Sequence, residues 1–368
     1  MRKKKSVNNK GSILITTLWI IATLTVFAMG IGFRASLEAR LSKYNMDKTE
    51  ARYLAKAGLY KAMERIGDNT NEYDTVYECG IALETRSDTE EGEAQETTKE
   101  IFGKDSNPMG NGSFSVHYKM KGEGDKLRTV YGLMDEERKI NINISKLMIA
   151  TDREAEYKRV LSALSDDLTE EMLNSMLDWQ DTDDSVSTPG GAEDFDYDAE
   201  FGYLCKDADF EALEELMLVK GMTWDIFKEI EKYITVYGDG AVNINTAPEE
   251  VLLALIDDGS GQFGELVDSI MIFRKGDDGL EGTSDDRFFL TIDDVNALIE
   301  NVSIDENQKN MFVNRIDYVN ALVALSFKSS AYRILSHGYV GRVTKVIDCV
   351  ITRGAEEEGA SMAYYHEE

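Results

Sequence analysis

The chain has 368 residues, ample for two domains, and 69 acidic against 40 basic residues leave a formal charge of −29. That balance argues against nucleic acid or an anionic membrane surface as partner, because phosphate binding rests on clustered Lys and Arg, and it favours divalent cations instead. Three widely spaced cysteines, Cys79, Cys205 and Cys349, signal neither a disulfide framework nor a CxxC zinc site, and the sequence does not say whether any two of them pair.

The chain opens on a short basic head, Arg2, Lys3, Lys4, Lys5 and Lys10, followed after Gly11 by 22 uncharged residues from Ser12 to Phe33. At about 1.5 Å per residue a helix of this length crosses the roughly 30 Å hydrocarbon core of a bilayer. It also exceeds the apolar run of about 7 to 15 residues typical of a cleaved secretory signal. The basic flank should stay cytoplasmic, which puts everything after Arg34 on the far side. Apolar residues continue at helical spacing through Phe33, Leu37, Leu41, Tyr44, Ala51, Leu54, Ala55, Gly58, Leu59, Ala62 and Ile66. One Pro-free helix is therefore predicted over 12–66, membrane-spanning over 12–33 and amphipathic thereafter.

Residues 68–110 are polar and acidic without periodicity and read as an irregular, partly mobile connection. Ser113–Met120 and Arg128–Leu133, separated by the turn-forming Gly122–Asp125, predict a β-hairpin. Tyr332–Tyr339 and Arg342–Thr352, rich in Val, Ile and Tyr and separated by Val340-Gly341, predict a second. Between them the chain is mostly helical. The expected fold is α+β, with the long N-terminal helix packed on a small antiparallel sheet. Residues 67–138 and 326–356 form that domain, an all-helical insertion of 139–325 splits it, and 357–368 is an acidic tail.

Within the insertion, Asn141-Ile142-Asn143 recurs as Asn243-Ile244-Asn245. Each copy opens a helical stretch and runs through Leu177–Asp181 or Ile272–Asp277 into an acidic loop. Each then ends in a later helix, near Ile234–Tyr237 and Ile316–Val319 respectively, which is the order expected of a duplication. Residues 165–211 hold 16 Asp or Glu against one basic residue, Lys206. In this first loop Asp181, Asp183 and Asp184 precede Pro189-Gly190-Gly191, whose turn would fold Glu193 and Asp194 back toward them. The second loop sets Asp277, Asp278, Thr283, Asp285 and Asp286 among three glycines. Hard oxygen ligands on flexible loops are what Ca²⁺ takes, about six to eight per ion, although neither spacing is that of an EF-hand. An acidic, solvated face is the competing account of the first loop.

Leu216–Met222 and Asn243–Pro248 resemble helix-hairpin-helix modules. The fold they imply, with SAM-like or helix-hairpin-helix-like repeats, suits the insertion, whereas DNA binding does not suit the surrounding negative charge. Pro248 with Glu249 and Glu250 reads as a helix start. His117, His337 and His366 are scattered in sequence, no nucleophile motif is present, and catalysis is not signalled. Trp179, Trp224, Phe195, Tyr197 and Tyr203 read as core or loop-anchoring aromatics.

Together these features resemble the type IV pilin-like family and, within it, the K subunit of the type II secretion pseudopilus. Lys10-Gly11-Ser12 ahead of the apolar helix looks like a prepilin peptidase site, which implies cleavage between Gly11 and Ser12 and loss of residues 1–11. At the fifth position after that cut, where the family usually carries a glutamate paired with a neighbour's amine, this chain has Thr16. A carboxylate inside the apolar region is costly unless paired, so a subunit with no neighbour above it needs none. The resemblance implies a minor pseudopilin at the tip of a periplasmic filament, held in the inner membrane by one span with its N-terminus cytoplasmic and its bulk periplasmic. It implies packing with other minor pseudopilins through the helix and the pilin-like domain, contact with exported substrate or the outer-membrane secretin, and one or two Ca²⁺ ions in the helical domain. A minor pilin of a type IV pilus or related filament is the alternative; a membrane-anchored DNA-uptake receptor fits the charge less well.

Overall fold

The structure, a computed structural model, describes residues 10–81, 83, 85–86, 94–95, 97–121, 126–148, 153–353 and 360–368. Most of the basic head and the turn Gly122–Asp125 lie outside the described residues. Helix α1 (Lys10–Asp68) is continuous, with Gly11 and Ser12 on its first turn. Its Ile13–Asp68 portion is long and apolar enough to cross a membrane, and the apolar side chains from Ile13 to Phe33 are all exposed. Thr16, Thr17, Thr23 and Thr25 donate to carbonyls three or four residues earlier at 2.8–2.9 Å, so these hydroxyls are satisfied without leaving the helix.

From Ala51 the helix acquires a partner. Ala51, Leu54, Ala55, Leu59, Ala62 and Ile66 form a buried stripe at intervals of three and four, the spacing that puts them on one face. After α1 come the short pair β1 (Thr85–Arg86) and β2 (Ala94–Gln95), helix α2 (Thr98–Phe102), β3 (Pro108–Met109), β4 (Gly112–Lys121), β5 (Leu127–Tyr131) and β6 (Met134–Asp135). After the helical part, the chain returns as β11 (Ala331–Val340), β12 (Val343–Arg353) and β13 (Ala360–Glu367). The seven-stranded sheet runs β13-β12-β11-β4-β3, with β5 also on β4 and β6 also on β11. Its central pair joins the two halves of the sequence, from Ser336 opposite Val116 to Val340 opposite Gly112. Along β11, Ile334, Ser336, Gly338 and Val340 are buried and alternate with half-buried Arg333, Leu335, His337 and Tyr339, as a strand with one covered face must. Ser336 donates to the Ala55 carbonyl at 2.7 Å, tying that face to α1.

Two expectations need correction. Residues 71–81 and 97–107 are not a loose connection: Val76, Cys79, Ile81, Ile101 and Phe102 are buried. Asp74 fixes the segment by accepting from Gly80 N, Ser329 N and Tyr332 Oη at 2.7–2.9 Å, contacts that polar composition cannot reveal. The expected tail of 357–368 holds edge strand β13, paired with β12 from Ile347 opposite Glu367 to Arg353 opposite Ala360 with a bulge-like shift of register between Val350 and Ile351. Charge masked its β-formers. Tyr364 lies against Arg333 and Tyr237, and Glu367 pairs with Arg52 and Lys56 of α1.

The insertion runs through β7 (Ile140–Asn141), α3 (Arg153–Ser162), α4 (Glu170–Asp178), α5 (Asp194–Glu200), α6 (Trp224–Ile230), β8 (Ile234–Thr235), β9 (Val242–Asn243), α7 (Glu249–Ile256), α8 (Gly264–Arg274), α9 (Ile292–Asn301), α10 (Glu306–Val323) and β10 (Leu325–Ser326). It has its own apolar core. The repeat is physical. Strand β7 pairs in parallel with β8, and β9 with β10, so each copy closes on itself. Asn143 accepts from Phe210 N at 2.8 Å and donates to its carbonyl at 3.1 Å, and Asn245 does the same to Phe289 at 2.8 and 2.9 Å.

The two domains meet over buried acids. Asp135 accepts from Thr246 Oγ1 (2.5 Å), Ser329 Oγ (2.6 Å) and Asn243 Nδ2 (3.1 Å), and Glu137 accepts from Ser330 N (3.0 Å). Glu136 bonds Lys139, Arg333 and Thr235. Burial pushes Asp135 up to about 6, and burial with the Asp135 charge pushes Glu137 up to about 8. Against the same burial, Lys139 and Arg333 keep Glu136 below its ordinary value. Acids raised in the folded state bind more protons there than when unfolded, so their contribution to stability falls as pH rises from the ordinary carboxylate range toward 8. Melting of the pilin-like domain should accordingly drop between pH 5 and 8, and Glu137→Gln should flatten the upper part of that slope. A parallel slope in the variant would reject Glu137 as its source.

Candidate metal centre

The first acidic loop is positioned by α4. Thr169 caps the helix, its hydroxyl accepting from Met172 N at 3.4 Å, and Met172, Leu173, Met176 and Leu177 drive it into the core. Asp178 therefore arrives fully buried at a helix C-terminus, where the backbone dipole disfavours negative charge. Two amides answer it: Ser187 N at 3.2 Å and Ala192 N at 2.8 Å. The chain returns past Asp178 so closely that a Cβ on Gly191 would overlap Asp178 Oδ2. That reversal delivers Glu193 to the same place. Trp179, the next residue, is buried edge-on to Tyr197 at 5.2 Å and stacked near Phe210 at 6.4 Å.

Oxygens of Asp178, Asp181 and Glu193 lie within 4.8 Å of one another, and a second set, Glu193, Cys205 and Asp207, meets the same limit. Glu193 is only 3% exposed, and its Oε1 has no hydrogen-bond partner. Burial, then the charges of Asp178, Asp181 and Asp207, pushes its carboxyl up to about 8. Burial raises Asp178, Asp181 and Asp207 as well. Three crowded carboxylates with an unsatisfied buried oxygen repel one another, and a hard divalent cation removes that repulsion. The donor set fits such an ion.

The other sequence candidates serve differently. Asp183 accepts from Ser185 N at 2.8 Å and Asp194 from Cys205 N at 2.9 Å; Asp184 is exposed. In the second loop Asp285 accepts from Asp277 N (2.7 Å), Asp278 N (3.0 Å) and Thr283 Oγ1 (2.7 Å), and the Thr283 bond with these amides holds it at about 2. Asp286 accepts from Gly282 N at 2.8 Å and Asp278 from Leu280 N at 2.7 Å, while Asp277 pairs with Arg287 at 2.5 Å. Beneath the loop, buried Arg274 donates to the Ile244 and Ala247 carbonyls at 3.1 and 2.6 Å and pairs with Glu281 at 2.5 Å. Asp278, Asp285 and Asp286 of the second loop thus cap amides, whereas Asp178, Asp181 and Glu193 of the first converge.

Sequence reasoning placed Asp178 at a loop edge and did not connect Cys205 or Asp207 to it. The only signal was a cysteine inside the acidic run. Two of the three histidines, distant in sequence, meet in the fold. His117 on β4 and His337 on β11 stack at 4.0 Å, because antiparallel pairing sets these strands side by side. Of the aromatics, Trp179 and Tyr197 are core residues, whereas Phe195 and Trp224 are exposed.

Residues 140–239, which contain the whole first loop, match the family described as type II secretion system (T2SS), protein K. A relative, the type II secretion system protein K of Pseudomonas aeruginosa, is 24% identical over 287 residues, 75% of each chain. A chain in the crystal structure of the GspK-GspI-GspJ complex from the enterotoxigenic Escherichia coli type 2 secretion system shares the fold, with TM-score 0.56 and 14% identity. That match covers 89% of this chain and 99% of the other. The family model thus covers the first half of the helical domain, and a helix-on-sheet domain interrupted by a helical one is the fold shared with that solved chain.

Proposed function

We propose that this chain is a minor pseudopilin of type II secretion, of the K type, and that it caps the pseudopilus tip, with its N-terminus cytoplasmic, its span in the inner membrane and its bulk periplasmic. One observation carries the reading: the helical domain is docked at the C-terminal end of α1, opposite the exposed apolar end. Tyr73 stacks on Phe288 of the helical domain at 3.6 Å, and Asp74 N donates at 2.9 Å to the carbonyl of Phe327, where the chain leaves that domain. A filament whose subunits stack along such helices would find its next position covered by this bulk. Thr16, bonded to its own helix at Ile13, offers no carboxylate to a subunit above. Assembly would proceed through α1 and the sheet with other minor pseudopilins, a reading supported by the structural neighbour's being a chain of a three-protein complex, and the cap would face exported protein or the secretin. The Asp178–Asp181–Glu193 group would hold Ca²⁺, fixing the fold of the cap.

The test is extraction of the full chain in detergent with the other minor pseudopilins of its system. A stoichiometric complex is expected, and overproduced filaments should carry labelled chain at one end only. Label along the filament length would overturn the tip placement, and failure to copurify would overturn assembly. Processing has its own check. Gly11→Leu should leave the mass of the uncleaved chain when the prepilin peptidase is present and should abolish entry into the complex; an unchanged mature mass would reject the site.

A further inference from the structure

We propose that the apolar platform of Phe201, Tyr203, Leu204 and Leu218 on the helical domain docks a partner protein through an apolar segment flanked by Lys and Arg. The inference takes its setting, a cap that faces other proteins, from the reading above; the binding itself depends only on this face.

The platform is built where the chain runs from the first acidic loop to the Phe210 clamp. Helix α5 ends at Glu200, and the turn after it lays Phe201 against Tyr203, their rings stacked at 5.6 Å. Tyr203 stacks in turn on the buried Tyr197 ring at 5.6 Å, and its hydroxyl donates to the Leu218 carbonyl at 2.7 Å, which fixes the two stretches side by side. On that support Phe201 is 46%, Leu204 59% and Leu218 44% exposed. Apolar side chains held at the surface by a buried neighbour have little freedom left to lose on binding, and large aromatic anchors carry much of the energy of protein interfaces.

The duplication separates this segment from what the fold needs. In the second copy the chain passes from Asp286 of its acidic loop almost directly to the clamped Phe289, whereas in the first α5 and its turn intervene between Glu193 and Phe210. Phe201, Tyr203 and Leu204 all lie in that addition. Charge then selects the occupant. Residues 194–220 hold nine Asp or Glu against two Lys, and both lysines are engaged within the face, Lys206 with Glu215 at 2.8 Å and Lys220 with Asp196 at 3.7 Å. An apolar surface rimmed by acids repels a second copy of itself and fits apolar side chains interleaved with cations.

The test uses the full chain in nonionic detergent and a fluorescently labelled peptide, Lys-Phe-Lys-Leu-Lys-Lys with blocked ends, against empty micelles as blank. Saturable one-to-one binding by anisotropy is expected, weakening with salt as the charges are screened. Affinity should fall about tenfold in Phe201→Ser and in Leu218→Ser and should hold in Ile272→Ser, which removes an exposed apolar side chain of α8. The same peptide with Glu in place of each Lys should not bind. Circular dichroism establishes that each variant is folded, and Leu204→Ser serves if the Phe201 variant is not. Full affinity in the platform variants, equal binding of the Glu peptide, or no binding of the Lys peptide overturns the proposal. Filaments labelled at one end by a chain that ignores the peptide would leave the tip placement standing without the docking face. Peptide binding by a chain spread along the filament would do the reverse.

Discussion

Gly338→Val should unfold the pilin-like domain while leaving the helical domain intact. A Cβ at Gly338 would overlap the Ala51 carbonyl oxygen and lie 2.6 Å from the Ala55 nitrogen, both of them backbone atoms of α1 that cannot rotate aside. The helix would have to lift from the sheet along the stretch where Ala51, Leu54 and Ala55 are buried and Ser336 bonds the Ala55 carbonyl. Overpacking a tight core costs about 1–3 kcal/mol on its own, and lost burial along the stripe adds to it. Against a typical domain stability of about 5–15 kcal/mol, alanine should weaken the domain by about 2–3 kcal/mol and valine should remove it. Gly341, with φ +58° and open space around its Cα, is the control: alanine there meets only the left-handed backbone penalty of about 1 kcal/mol. Because the two domains have separate apolar cores, hydrogen exchange resolved by segment is the right measurement. Unchanged protection of residues 51–66 in Gly338→Val would sink the argument.

Chelation should lower the melting of the helical domain, and Glu193→Gln should erase the difference. At calcium a hundredfold above its dissociation constant the linkage amounts to about 2.7 kcal/mol. Without the ion, Glu193 sits at about 8, so the calcium-free domain should lose stability as pH rises toward 8, and calcium affinity should climb over the same interval as the proton leaves. Glu193→Gln removes the repelling charge and should raise calcium-free stability. Asp285→Asn, by contrast, deprives the amides of Asp277 and Asp278 of their acceptor and should cost stability equally with and without calcium. Identical melting of the wild type with and without chelator would dispose of the calcium reading.

Those expectations draw unequally on the sequence. The helix was legible from end to end because its signals are local: an uncharged run, then a three-and-four stripe with no proline. The repeat was legible because its Asn-Ile-Asn strings carry the structural work, each second asparagine clamping one phenylalanine backbone. The candidate metal centre was half legible. Glycines around residue 190 announced a reversal, but Asp178 and Cys205 meet across 27 positions only after that reversal is made. His117 and His337 meet only when β4 and β11 pair. Strand β13 was hidden by charge, and the buried stretch after α1 by polar side chains that turn out to be hydrogen-bonded inward.

The buried joint between the domains has a further consequence. The insertion leaves the sheet at Asp135–Glu137 and returns at Ser329–Ser330, and the two ends are bonded to each other. From the side of the sheet, the whole helical domain is a loop whose ends are already closed. Closing a longer loop costs little more than closing a shorter one, since each doubling adds only about 0.6 kcal/mol. The helical domain is therefore free to grow, shrink or be exchanged between related chains so long as the bonds at its two ends are kept, while the sheet and α1 hold their own packing.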